Sequence, residues 1–178
     1  MTGRSAPSNP CAPGGSAPAG AVVCPCAAAT RPIDCPAVQR GMRQAWTDSQ
    51  AGDAANRHEE GGYIVRNADG TYGVERWPRG ASASIAPPAR DANGLYNGKQ
   101  VVGEFHTHPN PPVDETGRQW TPGGHPGDWN GIAAENYSDE SYIISDGSVW
   151  RVSPSGQPTR DASGAEVPMG SRTTLIGN

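Results

Sequence analysis

Glycine and proline set the strongest constraint on how this chain can fold. The 178 residues include 24 Gly and 18 Pro, almost twice the share of about 12% that these two residues usually have. Only 34% of the residues are hydrophobic, and there is a single Phe. Because Gly and Pro interrupt helices and strands, a compact core has to come from one part of the chain, with many turns around it.

The N-terminal segment has the least capacity to fold. Residues 1–36 contain seven Pro, four Gly and eight Ala, and few charges. Such a segment cannot bury enough apolar surface to offset its loss of entropy. We therefore predict a disordered linker or tail over residues 1–36 and one folded domain over residues 37–178.

All four cysteines lie in or at the end of this predicted tail: Cys11, Cys24, Cys26 and Cys35. The spacing of Cys24 and Cys26 is too short for the usual zinc knuckle. Structural cysteines, either free or linked by disulfides, are therefore favoured over a metal site.

Charge and hydropathy exclude two classes of partner. The net charge is −4 and the Lys and Arg residues are not clustered, which argues against nucleic acid as the main partner. No stretch approaches the roughly 20 apolar residues of a membrane span. The N-terminus shows no signal peptide, so we expect either a cytoplasmic protein or one delivered by a specialised secretion system.

The hydrophobic periodicity predicts a mixed α/β (α+β) domain around one sheet. A helix over about 36–50, capped by Asp34, presents an apolar face. Hairpins are predicted over 63–75 and 141–152, a strand over 101–107, a Pro/Gly-rich excursion over 109–127, and a short helix from Asp128 to Tyr137.

Two histidines at the end of the central strand predict a metal site. Strand alternation places His106 and His108 on one face, about 7 Å apart along the backbone, where two imidazoles can chelate one zinc ion. Asp128 is the candidate third ligand. The sequence His125-Pro126-Gly127-Asp128 is typical of a helix start, where the helix dipole favours an ionised carboxylate.

A catalytic zinc site also needs a base. Glu59 and Glu60 precede two glycines that allow the backbone to pass close to another element, so either glutamate is a candidate. Each feature also has a non-catalytic interpretation. The histidine pair could be exposed without binding a metal, Asp128 could only interact with the helix dipole, and the two glutamates could lie in a solvated turn. His58, next to Glu59, is expected to point away from the site and to have a structural role.

Taken together, these residues resemble the JAB/MPN metalloproteases, also called JAMM proteases. The motifs are Glu59-x-x-Gly62-x-Ile64, then His106-Thr107-His108-Pro109, then His125-Pro126-Gly127-Asp128. The resemblance favours Glu59 over Glu60 as the base. His125 stands where the family has the serine of the oxyanion position, and the chain between His108 and Asp128 is longer than in the family.

The resemblance implies a three-layer, cytidine-deaminase-like fold with a mixed sheet flanked by helices, and a Zn²⁺-dependent peptidase or isopeptidase activity. The motifs look most like JAB-like modules at the C-termini of bacterial polymorphic (Rhs-type) toxins. That likeness implies a peptide or protein substrate and an immunity protein as a partner. Two alternatives stay open: a non-catalytic JAB-like binding module, and a metal-dependent amidase that acts on peptidoglycan.

Overall fold

The computed structural model describes residues 29–121 and 123–177. Cys11, Cys24, Cys26 and most of the predicted tail lie outside the described residues. The described chain contains three α-helices and seven strands, which in chain order are α1 (Pro36–Asp48), β1 (Gly61–Arg66), β2 (Tyr72–Arg76), β3 (Leu95–Tyr96), β4 (Lys99–His108), α2 (Pro126–Ala134), β5 (Ser141–Ser145), β6 (Ser148–Val152), β7 (Gly170–Ser171) and α3 (Arg172–Ile176).

All seven strands form one mixed sheet. The strand order is β2-β1-β4-β5-β6-β7, and the short β3 pairs with β4. The pairing of β4 with β5 is parallel, and the other pairings are antiparallel. The predicted mixed α/β class is therefore confirmed, and so are both hairpins and the central strand, which extends from 99 to 108.

Helices cover both faces of the sheet. Alternation along β1 directs Ile64 into one buried cluster and Tyr63 and Val65 into the other. The Ile64 cluster includes residues of α1 and Ile176 of α3, whereas the other cluster includes Ile132 of α2. The strand β4 lies at the centre of the sheet, so its side chains meet a helix-covered layer on either side.

The N-terminal edge of the domain differs in detail from the sequence prediction. Asp34 does not cap α1: it lies in a short 3₁₀ helix and pairs with Arg31, and Cys35 is the N-cap residue, without a side-chain cap. Ile33 and Cys35, which the prediction assigned to the tail, are buried in the core. Cys35 is disulfide-bonded, in line with a structural role.

The apolar face of α1 is the one that the sequence indicates. Val38, Met42 and Ala45 are completely buried, and Trp46 packs against them while staying partly exposed. Proline at the first helical position suits this start, because the missing amide proton would have had no helical partner. Among the described residues, no helix is long and apolar enough to cross a membrane.

Three loops share one kind of turn, with sequence Asp-x-(Asn, Thr or Ser)-Gly. In each, the first oxygen of the aspartate accepts hydrogen bonds from the backbone amides two and four residues later; the aspartates are Asp91, Asp114 and Asp161. This turn folds the predicted excursion into a small hairpin, closed by the Val113–Gln119 bridge. The described residues of the excursion therefore form a structured loop beside the end of β4.

Candidate metal centre

The centre of the site is the C-terminal end of β4. His106 and His108 point to the same side of the strand, as alternation requires, and their Nε2 atoms lie 3.2 Å apart. His106 is buried and His108 is half-buried. Two imidazole nitrogens that face each other at this distance need a proton or a cation between them.

Asp128 reaches the same point from α2. The helix starts two residues earlier than predicted and ends at Ala134, not Tyr137, with His125 as its N-cap. The Asp128 carboxylate accepts a hydrogen bond of 2.6 Å from the His125 amide, which completes a capping box. Its Oδ1 lies 3.7 Å from Nε2 of His106, and its Oδ2 lies 3.6 Å from Nε2 of His108.

The donor atoms of these three side chains lie close enough to hold one metal ion. With bonds of about 2.0–2.1 Å, tetrahedral zinc holds its ligand atoms about 3.3 Å apart. The two imidazole nitrogens are 3.2 Å apart, and the two carboxylate oxygens lie 3.7 and 3.6 Å from one nitrogen each, slightly beyond that value. Among the described residues, these three form the group of His, Cys, Asp and Glu side chains whose donor atoms converge within 4.8 Å.

The protonation of the two histidines also suits a metal ion. Burial lowers the pKa of both imidazoles, and the neighbouring His108 lowers the pKa of His106 further, so both rings favour the neutral form. The Nδ1 of His108 lies 3.3 Å from the carbonyl oxygen of Thr121. A carbonyl only accepts, so Nδ1 carries the proton and Nε2 presents its lone pair to the centre.

Two glycines allow α2 to approach the sheet so closely. A Cβ at Gly123 would lie 2.6 Å from the ring of Trp150, and a Cβ at Gly124 would lie 2.6 Å from Cδ1 of Ile143. Gly124 also has a φ of +99°, which L-residues rarely adopt. The loop that contains these glycines therefore packs closely against β5 and β6, and it places the first turn of α2 beside the histidine pair.

The three candidate ligands line a cleft of about 500 Å³ that also contains Glu59. Glu59 is 8% exposed. Burial, and secondly the negative charge of Asp128, raise the pKa of this carboxyl to about 8. A carboxyl group that exchanges its proton near neutral pH therefore faces the same cleft as the two imidazoles.

Glu60 has a different environment. Its carboxylate forms ion pairs with Arg76 and with Nε2 of His58, at 2.8 Å in the second case, and it is not part of the cleft wall. Nδ1 of His58 lies 2.8 Å from the carbonyl of Asn56. Both nitrogens of His58 therefore face acceptors, and the network holds the start of β1 in place.

No family model, curated protein or solved structure matches this chain.

His125 lies on the wall of the cleft, outside the group of three ligand atoms. Its Nδ1 accepts a hydrogen bond of 3.1 Å from the amide of Gly127. A neutral imidazole that accepts at Nδ1 carries its proton on Nε2. The side chain is therefore a hydrogen-bond donor beside the candidate metal centre, fixed by its own helix cap.

Much of the remaining cleft wall comes from loops that the sequence analysis did not connect with the site. The Asp114 turn contributes Arg118 and Trp120, with the guanidinium stacked 4.0 Å from the ring centroid. Nε1 of Trp120 donates to Asp114 at 2.8 Å. Trp129, the other tryptophan beside the motif, packs against the core cluster that includes Tyr63.

One carboxylate of the cleft has no place in the predicted site. Glu104 precedes His106 by two residues, lines the same cleft and is 6% exposed. Its hydrogen-bond donor is the hydroxyl of Tyr137, just beyond α2. The strand alternation that identifies the two histidines also includes Glu104, so the signal was present in the sequence.

Proposed function

We propose that this chain is a zinc-dependent hydrolase of peptide or isopeptide bonds, of the JAB/MPN type. The observation that carries the proposal is the convergence of Nε2 of His106, Nε2 of His108 and the Asp128 carboxylate, with Glu59 on the same cleft. Three protein ligands that leave one position open are typical of catalytic zinc, whereas structural zinc sites are closed by four.

His106, His108 and Asp128 would hold the ion. When bound, zinc supplies Lewis acidity, which polarises a carbonyl oxygen and makes water more acidic. The two neutral imidazoles and one carboxylate would give the centre a net charge of about +1. That charge favours an electron-rich carbonyl in the cleft.

Glu59 is the proposed general base. Its carboxylate would take a proton from water and later return one to the leaving amine, which requires a group that exchanges protons near neutral pH. In the metal-free protein burial raises its pKa to about 8, and the positive charge of a bound ion would favour the ionised carboxylate that a base requires. Glu60 is the weaker candidate because its carboxylate is paired with Arg76 and His58.

His125 is the proposed donor to the developing oxyanion. Its side chain has Nε2 as the remaining donor and the residue lines the cleft, and a donor aimed at the charge that develops in the transition state contributes about 3–4 kcal/mol in other hydrolases. We expect His125→Ala to lower kcat about hundredfold to thousandfold. Zinc content should not change, because His125 is outside the ligand group.

A role as the toxic effector module of a polymorphic toxin completes the proposal. It rests on the likeness of the sequence motifs to toxin-borne JAB-like modules and on the Pro/Ala/Gly-rich segment that precedes the domain. An immunity protein would then be the cognate partner. A specialised secretion system would deliver the toxin, and the substrate would be a protein or peptide of the target cell.

The test combines zinc analysis with hydrolysis assays on quenched fluorescent peptides, isopeptide-linked lysine peptides and peptidoglycan fragments. The wild type should bind one zinc ion and cleave at least one amide substrate. Glu59→Gln should keep the zinc and lose cleavage, whereas Glu60→Gln, the matched control, should cleave whenever it is folded.

The outcomes separate the candidate functions. Cleavage of peptidoglycan fragments alone would identify the amidase alternative. A protein that binds zinc, is folded and cleaves none of the three substrate classes would favour the binding module. Wild-type activity in Glu59→Gln would refute the assigned base.

A further inference from the structure

Glu104 is a buried carboxylate whose location calls for an explanation. It lies on β4 between two core strands and is 6% exposed. A buried charge is costly unless other groups compensate it. Among the described residues, the Tyr137 hydroxyl is the hydrogen-bond donor to its side chain, and this bond involves Oε2 and leaves Oε1 available.

The second oxygen of Glu104 lies beside the imidazole of His106. Oε1 lies 3.8 Å from Nδ1 of His106, the ring nitrogen on the side opposite the candidate metal position. This separation is longer than a hydrogen bond. Glu104 and His106 are on the same face of one strand, and a shift of about 0.6 Å would bring the two atoms into the range of a hydrogen bond.

We propose that Glu104 is a positioning residue for the metal centre, which orients the imidazole of His106 through Nδ1, and that Tyr137 holds Glu104 in that role. The inference rests on the proposed metal centre. Metal-binding histidines almost always donate their other N–H to a carboxylate or a carbonyl, which fixes both the ring orientation and the tautomer.

The partner of the other histidine supports this assignment. Nδ1 of His108 is 3.3 Å from the carbonyl of Thr121, so His108 already has the usual second partner. With Glu104 in the equivalent position at His106, both rings present bare Nε2 lone pairs to the centre. Glu104 is the carboxylate in contact with Nδ1 of His106 among the described residues.

Tyr137 connects this contact to the other side of the site. It follows α2, the helix whose first turn carries Asp128, and its ring lies in the buried cluster with Ile132. The start of α2 supplies the candidate ligand Asp128, and Tyr137, three residues beyond its end, holds the carboxylate of Glu104 behind His106. A small movement of α2 would therefore displace Asp128 directly and would displace His106 through Tyr137 and Glu104.

The experiment measures zinc affinity of the full chain by competition with a chromophoric chelator, together with the electronic spectrum of the Co²⁺-loaded protein. Glu104→Ala should weaken zinc binding about tenfold to hundredfold and change the Co²⁺ spectrum. Glu104→Gln should recover part of the affinity, because its amide oxygen still accepts from Nδ1. Tyr137→Phe should lose affinity by a smaller factor.

Tyr63→Phe is the matched control for Tyr137→Phe. Tyr63 is a buried tyrosine of the same cluster, and its hydroxyl donates to the carbonyl of Pro88 at 2.6 Å. Removing that bond should cost stability and leave zinc affinity and the Co²⁺ spectrum unchanged. A general loss of packing would instead affect the two tyrosine variants equally.

Wild-type affinity and an unchanged Co²⁺ spectrum in folded Glu104→Ala would overturn this inference and leave the proposed function intact. If Glu104→Ala does not fold, the inference would be overturned by wild-type zinc affinity and an unchanged Co²⁺ spectrum in both Glu104→Gln and Tyr137→Phe. A wild type that binds no zinc would refute the proposed function and this inference together.

Discussion

Burial of Glu59 has a consequence for stability that can be measured without a substrate. The folded protein raises the pKa of Glu59 from 4.5 to about 8. Because the folded state holds this proton more tightly than the unfolded state, Glu59 contributes its full stabilisation below pH 4.5. That contribution is lost as the pH rises toward about 8.

The magnitude follows from the two pKa values. At about 1.4 kcal/mol for each pKa unit, the metal-free protein should lose roughly 4 kcal/mol of unfolding free energy from this one group between about pH 5 and pH 8.5. Glu59→Gln removes the titrating group and keeps its shape. The variant should therefore gain about 3–4 kcal/mol relative to the wild type over the same pH interval.

The assay is urea denaturation followed by tryptophan fluorescence, with a chelator present at both pH values. Glu75→Gln is the control, because a hydrogen bond from Lys99 lowers the pKa of Glu75. A carboxyl with a lowered pKa is ionised in both states above its unfolded pKa, so this variant should show a constant offset. If Glu59→Gln shows the same constant offset, the environment assigned to Glu59 is wrong.

Three further perturbations test how the site is held. Gly124→Ala should weaken zinc binding and cost about 1–3 kcal/mol of stability, because the residue has φ +99° and a Cβ there would lie 2.6 Å from Ile143. Zinc titration measures the first effect, and urea denaturation measures the second. Gly164→Ala is the control, because Gly164 has φ +84° and open space around it; this variant should lose stability and keep its zinc affinity. Equal zinc affinity in the two variants would contradict a role of Gly124 in positioning α2. Asp114→Ala removes the hydrogen bond of 2.8 Å to Trp120, so steady-state kinetics should show a higher KM with little change in kcat. A fall in kcat alone would count against substrate binding by the Asp114 loop. Removal of zinc by a chelator should lower the melting temperature in calorimetry, since zinc stabilises the folded state by mass action, and an unchanged melting temperature would contradict a bound ion.

The sequence was most informative where one rule governs side-chain direction. Alternation along β4 was sufficient to pair His106 with His108, and the Pro126 start signal identified the helix that carries Asp128. The preference for Glu59 over Glu60 came instead from the spacing to Gly62 and Ile64 in the resemblance to the JAB/MPN motif. These patterns depend on residues that are close in sequence, so they can be recognised without knowing how distant parts of the chain pack.

Other features depend on contacts between distant parts of the chain. The burial of Cys35, which displaced Asp34 as the cap of α1, depends on the packing of the N-terminal edge against the sheet. The approach of α2 depends on space beside Ile143 that only a glycine fits. Glu104 was missed because a glutamate on a strand is unremarkable until its neighbour beyond α2, Tyr137, is known.

The most direct test of the metal centre is a crystal structure of the zinc-treated protein with anomalous diffraction measured at the zinc edge. The proposed function predicts one strong anomalous peak bonded to Nε2 of His106, Nε2 of His108 and the carboxylate of Asp128, with a further position open to the cleft. The absence of a peak at this point, or a zinc ion bound by other residues, would contradict the central claim.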